Sequence, residues 1–554
     1  MLLVGILSAA FFTCLLNAGT LGPLIRGESG RAQMGTSVDE RYYFALIRDG
    51  ATGYSNLGNV SLKEHRFDTG AASYAPLLQG SLMRLFHWDI AMTVLFGYIA
   101  GPFLFVLLLF FVLLSLLRSP VAAAASALTI AASVGSLSLL RSISPQITIT
   151  VFVLSLAVYV VRERTPLHFL QRGLLIGVLF FFHIIYAGFL LLIEGVDFLL
   201  ALLRGTSLPC AVRRAVLVAV PALLAALLKF SLGSLTQDMV ASADTYRRMG
   251  MIPSHMPAAP GLQITIVATV IALVLLRRYR SDMRTEIDLL MVLLTAGLLA
   301  LNQSLLHGID VVFGLYYALP IHILLSISWT FIVWDLLRCM PRVRMVVLSG
   351  VSMVTLSSLL VAVNAWTMQS RSEYALLQAS GIPAVLDQLQ RLPRERVILA
   401  PYAIADLVPV FTDHYVAFNH YSRYQVARDE ELADRYLLQE SLFPSPPGTE
   451  DHTYNLVFGL YAGNLAARER TACRVFSLFR MSDAQCRRDI RSKIYHQDLL
   501  TKLDRKKIDS VHLLRTFHVD ILVTPSAALS APFAQLCSKT QEVGGFFIHE
   551  CQAS

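Results

Sequence analysis

Asp39 and Glu40 stand side by side shortly after the first apolar segment of the chain, and Arg41, Tyr42 and Tyr43 follow them. Two adjacent carboxylates repel, and partial desolvation raises the pKa of one toward the range where it takes a proton from a hydroxyl, such as that of a sugar. Their oxygens also suit a divalent cation, Mg²⁺ or Mn²⁺. The plain alternative is a solvated loop pair. Arg247 and Arg248 form a basic pair in a later polar loop, with His255 close by, and Arg66 follows the acidic pair in the first loop. Such cations hold a phosphate as point charge plus bidentate fork; a solvated amphipathic turn is the alternative. His414, Asn419, His420, Tyr421, Arg423 and Tyr424 crowd into eleven positions. Aromatic faces with planar hydrogen-bonding groups make a sugar-binding surface, and an ordinary loop after a strand accounts for them equally well. His183, Glu194 and Asp197 interrupt an apolar stretch, where a charge at mid-bilayer costs ~2.5–3.5 kcal/mol. Lys229 reads as a snorkelling side chain, and Lys502 to Lys507 as a solvated helix face. No P-loop, GxSxG, zinc-ligand spacing or dinucleotide fingerprint occurs, which removes ATP-driven, hydrolase and redox classes.

The elements that must position these residues follow from composition. The chain has 554 residues, 55% hydrophobic and 15% charged, with mean hydropathy +0.58. A soluble protein carries about 25% charged residues, so soluble enzymes, disordered tails and small disulfide scaffolds are excluded. Apolar segments near 2–25, 89–117, 120–140, 146–161, 173–186, 187–203, 212–231, 262–276, 286–301, 315–334 and 345–364 suit transmembrane helices of roughly 20 residues. They predict a polytopic α-helical membrane protein of about eleven spans, with 173–203 open between one long helix, a hairpin and two half-spans. The first segment also resembles a signal peptide but is long for one. Arg118, Arg162, Arg164, Arg172, Arg204, Arg213, Arg214, Arg277, Arg278, Arg280, Arg284, Arg338, Arg342 and Arg344 then fall on one side, which the positive-inside rule makes cytoplasmic. The net charge of +8 is thus largely a topology signal and needs no nucleic acid.

Residues 1–364 therefore form a membrane domain with exterior loops at 26–88, 232–261 and 302–314. Residues 365–554 form an exterior soluble α/β domain, large enough for its own core. Within it a helix is expected from Glu373 to Leu392, and strands at Arg396–Ala400, Val519–Thr524 and Gly545–His549. Four of the seven cysteines, Cys473, Cys486, Cys537 and Cys551, lie there. Proximity pairs Cys473 with Cys486 and Cys537 with Cys551, with free buried thiols as the alternative.

Several segments resemble the GT-C membrane glycosyltransferases, which use polyprenyl- or dolichyl-phosphate sugars. The first loop, with Asp39-Glu40-Arg41-Tyr42-Tyr43 and later Tyr74-Ala75-Pro76-Leu77-Leu78, is similar to their first lumenal loop. Leu301-Asn302-Gln303-Ser304-Leu305-Leu306-His307-Gly308 is similar to a short late loop of bacterial members. Ile398 to Thr412, ending at Tyr415, is similar to the opening of their exterior α/β domain. The resemblance implies that Asp39, with Glu40 beside it, is the general base. It would activate an acceptor hydroxyl to attack the anomeric carbon of a lipid-phosphate-linked sugar with inversion. Donor phosphate would fall to Arg247, Arg248, His255 and Arg66. Tyr42, Tyr43, His183, Asn302, Gln303 and His307 are further pocket candidates, and His420, Tyr421 and Arg423 would bind acceptor. A second acidic residue is expected in a later exterior loop, but Asp238, Asp244 and Asp310 stand in no matching motif, which leaves metal use open. The expected partners are a polyprenyl-phosphate-linked sugar, an exterior glycan, lipid or protein acceptor, and membrane lipids. The expected location is a bacterial inner membrane with the C-terminal domain periplasmic. The rival classes are a transporter or flippase of lipid-linked saccharides, against which no internal repeat is visible, and a non-catalytic scaffold of the same fold.

Overall fold

The computed structural model describes residues 1–17, 38–52, 59–68, 74–135, 146–161, 165–233, 238–248, 251–253, 259–307, 309–311, 314–444, 457, 473, 482, 497–505, 509–529 and 531–552. The chain divides into two compact units. One comprises residues 1–34, 73–232 and 253–371; the other comprises 35–72, 233–252 and 372–554.

The first unit is helical. Six of its helices are long and apolar enough to cross a membrane: Ile90–Leu117, Ile184–Leu203, Leu208–Ser231, Gly261–Tyr279, Tyr317–Leu336 and Pro341–Ala365. Shorter apolar helices occupy Leu2–Leu16, Pro120–Val134, Gln146–Val160 and Pro166–Phe182, and an 18-residue helix, Arg284–Leu301, starts with its charges. This is a polytopic helical membrane protein. Ile90–Leu117 lies centrally, against Leu2–Leu16, Pro120–Gly135 and Gln146–Val160, with Phe105, Leu109, Phe110 and Leu113 fully buried. Local chemistry sets the helix ends. The Asp89 side chain accepts from Met92 N–H at 2.7 Å at one N-terminus. Thr165 caps another, with Pro166 just inside it.

The stretch 173–203 is a hairpin. Pro166–Phe182 ends and Ile184–Leu203 begins at His183, whose backbone is extended (φ −161°, ψ 101°). Arg172 and Glu194, each eleven residues from that break, meet as an ion pair with Nε to Oε1 at 2.6 Å. One continuous helix would hold them about 33 Å apart. The break frees carbonyls at the end of the first arm, and Lys229 Nζ donates to Phe180 O at 2.8 Å while Tyr74 N–H donates to Phe181 O at 3.0 Å. Lys229 therefore caps a helix end, where the sequence suggested that it reaches for headgroups. On the far side Gly173 lets two helices touch, since a Cβ there would collide with Val218 O.

Basic residues at the predicted cytoplasmic ends meet carboxylates there. Arg118 pairs with Glu286 at 2.6 Å, Arg204 and Arg277 with Asp288 at 2.8 and 2.7 Å, and Arg280 with Asp335 at 2.8 Å. These contacts bring the ends of five helices to one level.

The second unit is built on a mixed five-stranded sheet. Its strands are β1 (Val397–Leu399), β2 (Tyr415–Val416), β3 (Ile521–Thr524), β4 (Cys537–Val543) and β5 (Phe546–Cys551). The order is β2-β1-β3-β5-β4, with β1 parallel to β2 and β3, and β5 antiparallel to β3 and β4. All of β1 and β3 is buried, as befits strands covered on both faces. Ile398 and Val523 face Val385, Leu386 and Leu389 of the Ile382–Gln390 helix. Val397, Leu399 and Leu522 face Leu514 and Phe517.

The expected helix from Glu373 to Leu392 is broken at Gly381, which takes φ 72° and lies against Gly544, leaving no room for a Cβ. Strands β2 and β4 were not expected. The two residues of β2 are too few to show alternation, and β4 has the polar run Ser538-Lys539-Thr540-Gln541-Glu542. Cys537 and Cys551 face each other across β4 and β5 and form the disulfide that proximity suggested. Cys473 is also disulfide-bonded; the pairing with Cys486 falls outside the described residues.

The sequence separated the first and middle loops from the C-terminal domain, whereas the structure folds residues 35–72 and 233–252 into it. Val416 N–H, on edge strand β2, donates to Ser61 O at 2.8 Å. Asn59 Oδ1 holds that segment by accepting from the N–H groups of Ser61 and Leu62 at 3.1 and 2.7 Å. Leu62 is fully buried beside Phe418, Leu432 and Tyr436. Arg435 donates to Glu431 at 2.8 Å, to Glu64 at 2.7 Å and to Ala417 O at 3.0 Å. His65 bridges Asp68 and Glu431, both at 2.7 Å.

Candidate functional site

The Val38–Ala51 helix carries the acidic pair in its first turn. Asp39 lies in its first turn, and its side chain is outside the described residues. Glu40 is buried, as are Phe44, Ala45, Leu46 and Ile47 further along. From this helix Tyr42 stacks on Tyr421 (centroids 6.1 Å apart, planes at 29°) and meets Tyr424 at 5.6 Å and Tyr43 at 5.7 Å. Burial, with Tyr43 beside it, pushes the Tyr42 phenol well above its ordinary range, so it stays a neutral hydrogen-bonding group.

Tyr421 and Tyr424 are held by a tight turn. Asn419 Oδ1 accepts from Tyr421 N–H at 3.1 Å and from Ser422 Oγ at 3.0 Å. The Arg423 guanidinium lies over the Tyr424 ring at 4.9 Å and donates to its hydroxyl at 3.1 Å. His420 is oriented by Asp406, which takes its backbone N–H at 3.1 Å and its ring Nδ1 at 2.8 Å. Arg41 Nη1 stands 3.8 Å from the same carboxylate. The His420 ring lies 4.6 Å from that of Tyr402, whose buried hydroxyl has no hydrogen-bond partner among the described residues. Burial, then the charges of Glu440, Tyr436 and Asp406, raise the Tyr402 phenol well above its ordinary value.

The structure therefore unites Glu40, Tyr42, Tyr43, His420, Tyr421 and Arg423 in the second unit. Asp406 and Tyr402 complete the cluster and were missed. Asp406 sits in the apolar run Ile404-Ala405-Asp406-Leu407-Val408, where a lone carboxylate needs a partner; that was the available signal. Asp49, on the Val38–Ala51 helix, was also missed. Burial pushes its carboxyl up to about 6, and the charge of Arg66 holds it back.

The residues assigned to donor phosphate are placed otherwise. Arg248 is 1% exposed and pairs with Asp429. It also donates to Thr245 Oγ1 at 2.8 Å and to the carbonyls of Arg423, Gln425 and Ala427 at 2.8–2.9 Å. Arg247 pairs with Asp429 and, at 2.7 Å, with Asp244. Asp244 in turn accepts from Asp429 N–H at 3.0 Å, in the first turn of the Asp429–Leu442 helix. Arg66 pairs with Glu395 and lies 5.8 Å from the Tyr415 ring. These three arginines bind the second unit together, because a guanidinium taken from water into a fold needs carboxylate and carbonyl partners. His255 lies outside the described residues. Of the other middle-loop acids, Asp238 pairs with Arg428 at 2.8 Å.

The remaining candidates belong to the first unit. His183 forms the hairpin turn, its ring edge-on to Tyr186 at 5.0 Å. Tyr74 of the first-loop motif meets Phe181 at that turn, ring to ring at 5.5 Å. Asn302 accepts from Gln263 Nε2 at 3.3 Å, and Gln303 accepts from Tyr317 at 3.2 Å. Both polar side chains stitch helix ends together. His307 lies in the short Gln303–His307 helix, its side chain outside the described residues.

Among the described residues no three His, Cys, Asp or Glu side chains gather as a metal ion would need. Asp406, a buried acid of the cluster, is taken up by His420 and faces the Arg41 guanidinium, partners unlike a cation's ligand shell. No family model matches the chain, and no curated protein is significantly similar to it.

Proposed function

We propose that this protein is a membrane glycosyltransferase of the GT-C type, transferring one sugar from a polyprenyl-phosphate donor to an exterior glycan, lipid or protein acceptor. One observation carries the reading. The helix that begins with Asp39-Glu40 lays Tyr42 on Tyr421 and Tyr424, beside His420 held by Asp406. An acidic segment and an aromatic, hydrogen-bonding surface of the kind that takes sugars thus belong to one compact unit.

In this reading the acceptor sugar packs on the partly buried edges of Tyr42, Tyr43 and Tyr424, and His420, its ring fixed by Asp406, orients a hydroxyl. Asp39 removes that hydroxyl proton as the oxygen attacks the anomeric carbon. The bond from that carbon to the phosphate oxygen breaks, polyprenyl phosphate leaves with the electron pair, and the configuration inverts. No step is assigned to a divalent cation.

Topology supports the reading. Among the described residues six apolar helices lie between residues 72 and 233, and four between 252 and 372. If each crosses the membrane, both numbers are even, so the three segments of the second unit emerge on one side. Eleven crossings in all, with the disulfide Cys537–Cys551 in an oxidising compartment, suit an inner membrane with this unit periplasmic.

The test is release of polyprenyl phosphate from a panel of polyprenyl-phosphate sugars by the purified protein in liposomes. Wild type turns over, and Asp39→Ala with intact folding loses turnover by the ~10²–10⁴-fold of general-base loss. Undiminished turnover in Asp39→Ala moves the base to His420, because Asp238 and Asp244 are occupied structurally. Saccharide-lipid translocation without transfer establishes the flippase class instead, and neither activity establishes the scaffold.

A further inference from the structure

A cavity of about 240 Å³ opens in the first unit between Pro166–Phe182, Ile184–Leu203 and the start of Leu208–Gly233. Its lining on the hairpin lies eight to eighteen residues from the His183 turn, about 12–27 Å along the arms, so most of it falls in the half of a ~30 Å bilayer core away from that turn. Ala211, Ala215 and Ala219, one turn apart on a single helix face, make the space by their small side chains. Phe169, Leu191 and Val218 make it apolar.

Three charged residues line this apolar space, and they are not equivalent. Glu194 is neutralised by Arg172, which donates to it from both Nε and Nη2 and lies over the Tyr159 ring at 4.1 Å. Asp197 stands 3.8 Å from the same guanidinium, outside hydrogen-bond range. Arg214 is half-buried against Phe169 at 5.7 Å and makes no ion pair among the described residues. Among the described residues the cavity thus offers one unpaired cation, one loosely held carboxylate and an apolar slot. Its volume is below the ~300–1,000 Å³ of a pocket for a whole small molecule, and it fits a chain segment. Leu223, Leu224, Leu227 and Leu228 continue the helix as an exposed apolar face, so a chain leaving the slot meets a surface made for lipid.

We propose that this cavity is a binding site for a membrane phospholipid with a phosphoethanolamine headgroup, its phosphate on Arg214, its ammonium on Asp197 and part of one acyl chain between Phe169 and the alanine face. An anionic headgroup without an ammonium leaves Asp197 opposed to the phosphate. A choline headgroup has no N–H to give to Asp197.

The test uses the purified full chain in detergent, titrated with phosphatidylethanolamine, phosphatidylcholine, phosphatidylglycerol or O-phosphoethanolamine. Thermal unfolding and native mass spectrometry of retained lipid are the readouts. The expected result is a concentration-dependent rise in Tm and retained lipid with phosphatidylethanolamine alone. The preference over phosphatidylcholine is lost in Asp197→Asn, and retention drops at least tenfold in Arg214→Gln and in Ala215→Phe, which fills the slot. Equal retention of all three lipids, phosphatidylglycerol binding best, or Ala215→Phe keeping the lipid would overturn the site. A full effect from O-phosphoethanolamine alone would overturn the acyl-chain slot.

Discussion

The two units use charge in opposite ways. In the first, the ion pairs that join helix ends stand open to water on their basic side, with Arg118, Arg204 and Arg277 side chains 56%, 44% and 45% exposed. In the second, Arg248 and Arg435 are 1% exposed and each gathers several acceptors. A membrane helix bundle finds its partners mainly through apolar faces, and apart from the Arg172–Glu194 pair inside the hairpin the ion pairs named above lie at its helix ends. The second unit is assembled from three segments separated by long stretches of chain, and its buried arginines supply contacts that join them. Charge marks topology in one unit and holds the fold together in the other.

The contrast predicts a graded set of responses, readable by thermal unfolding and amide exchange of the whole protein in detergent. Arg248→Ala removes the fully buried one of the two cations that hold Asp429 and should cost about 3–5 kcal/mol, with amides of 239–248 and 429–442 losing protection together. Gly381→Ala forces a side chain into positive φ and against Gly544; overpacking of this kind costs ~1–3 kcal/mol, so amide protection should fall in β4, β5 and Ile382–Gln390. A loss confined to the loop 380–381 would show that the close approach relaxes freely.

The clasp of His65 comes next and depends on pH. Burial alone would lower its pKa, but Glu431 and Asp68 outweigh that and raise it, while Glu431 is lowered: burial raises it, but His65 and Arg435 outweigh that. The His65 contribution is therefore complete below its ordinary value of ~6.5 and fades as pH rises through the raised folded value. The Glu431 contribution is present above its ordinary ~4.3 and is lost as pH falls through its lowered one. Protection of residues 59–68 should peak between about pH 4.3 and 6.5, and His65→Gln should flatten its alkaline side. The smallest effect belongs to Arg204→Gln, an exposed pair with ~0–1 kcal/mol at stake. A loss as large as that of Arg248→Ala would erase the distinction between the units.

Much of the first unit was legible in the sequence, because hydropathy is a local signal and a run such as Ile90–Leu117 has few alternatives. A hairpin over 173–203 was one of the readings open there, with the boundary drawn at 186–187; its position at His183 was missed, since neither Gly nor Pro marks it and the carbonyls it frees are taken by the distant Lys229 and Tyr74. In the second unit β1, β3 and the pairing of Cys537 with Cys551 could be read locally. The placement of residues 59–68 and 239–248 could not. Arg248 finds Asp429 181 positions away, and His65 finds Glu431 366 positions away; no periodicity records such distances. The same gap explains the arginines. A basic pair in a polar loop looks like a phosphate clamp until its carboxylates arrive from elsewhere, whereas the aromatic cluster at 419–424 was visible because its members are neighbours.

The cover that Asn59, Ser61 and Leu62 give to edge strand β2 has a consequence for biosynthesis. The ribosome delivers that cover before most of the chain and the strand it protects more than three hundred residues later. Until then Leu62 has no core to enter, and afterwards the Ser61 segment is the neighbour of β2 on that side among the described residues. A fragment holding only residues 372–554 would carry a bare sheet edge and an unclosed core, and should aggregate when expressed alone. Supplying 35–72 and 233–252 as separate peptides should rescue it, the two early segments acting as built-in folding escorts.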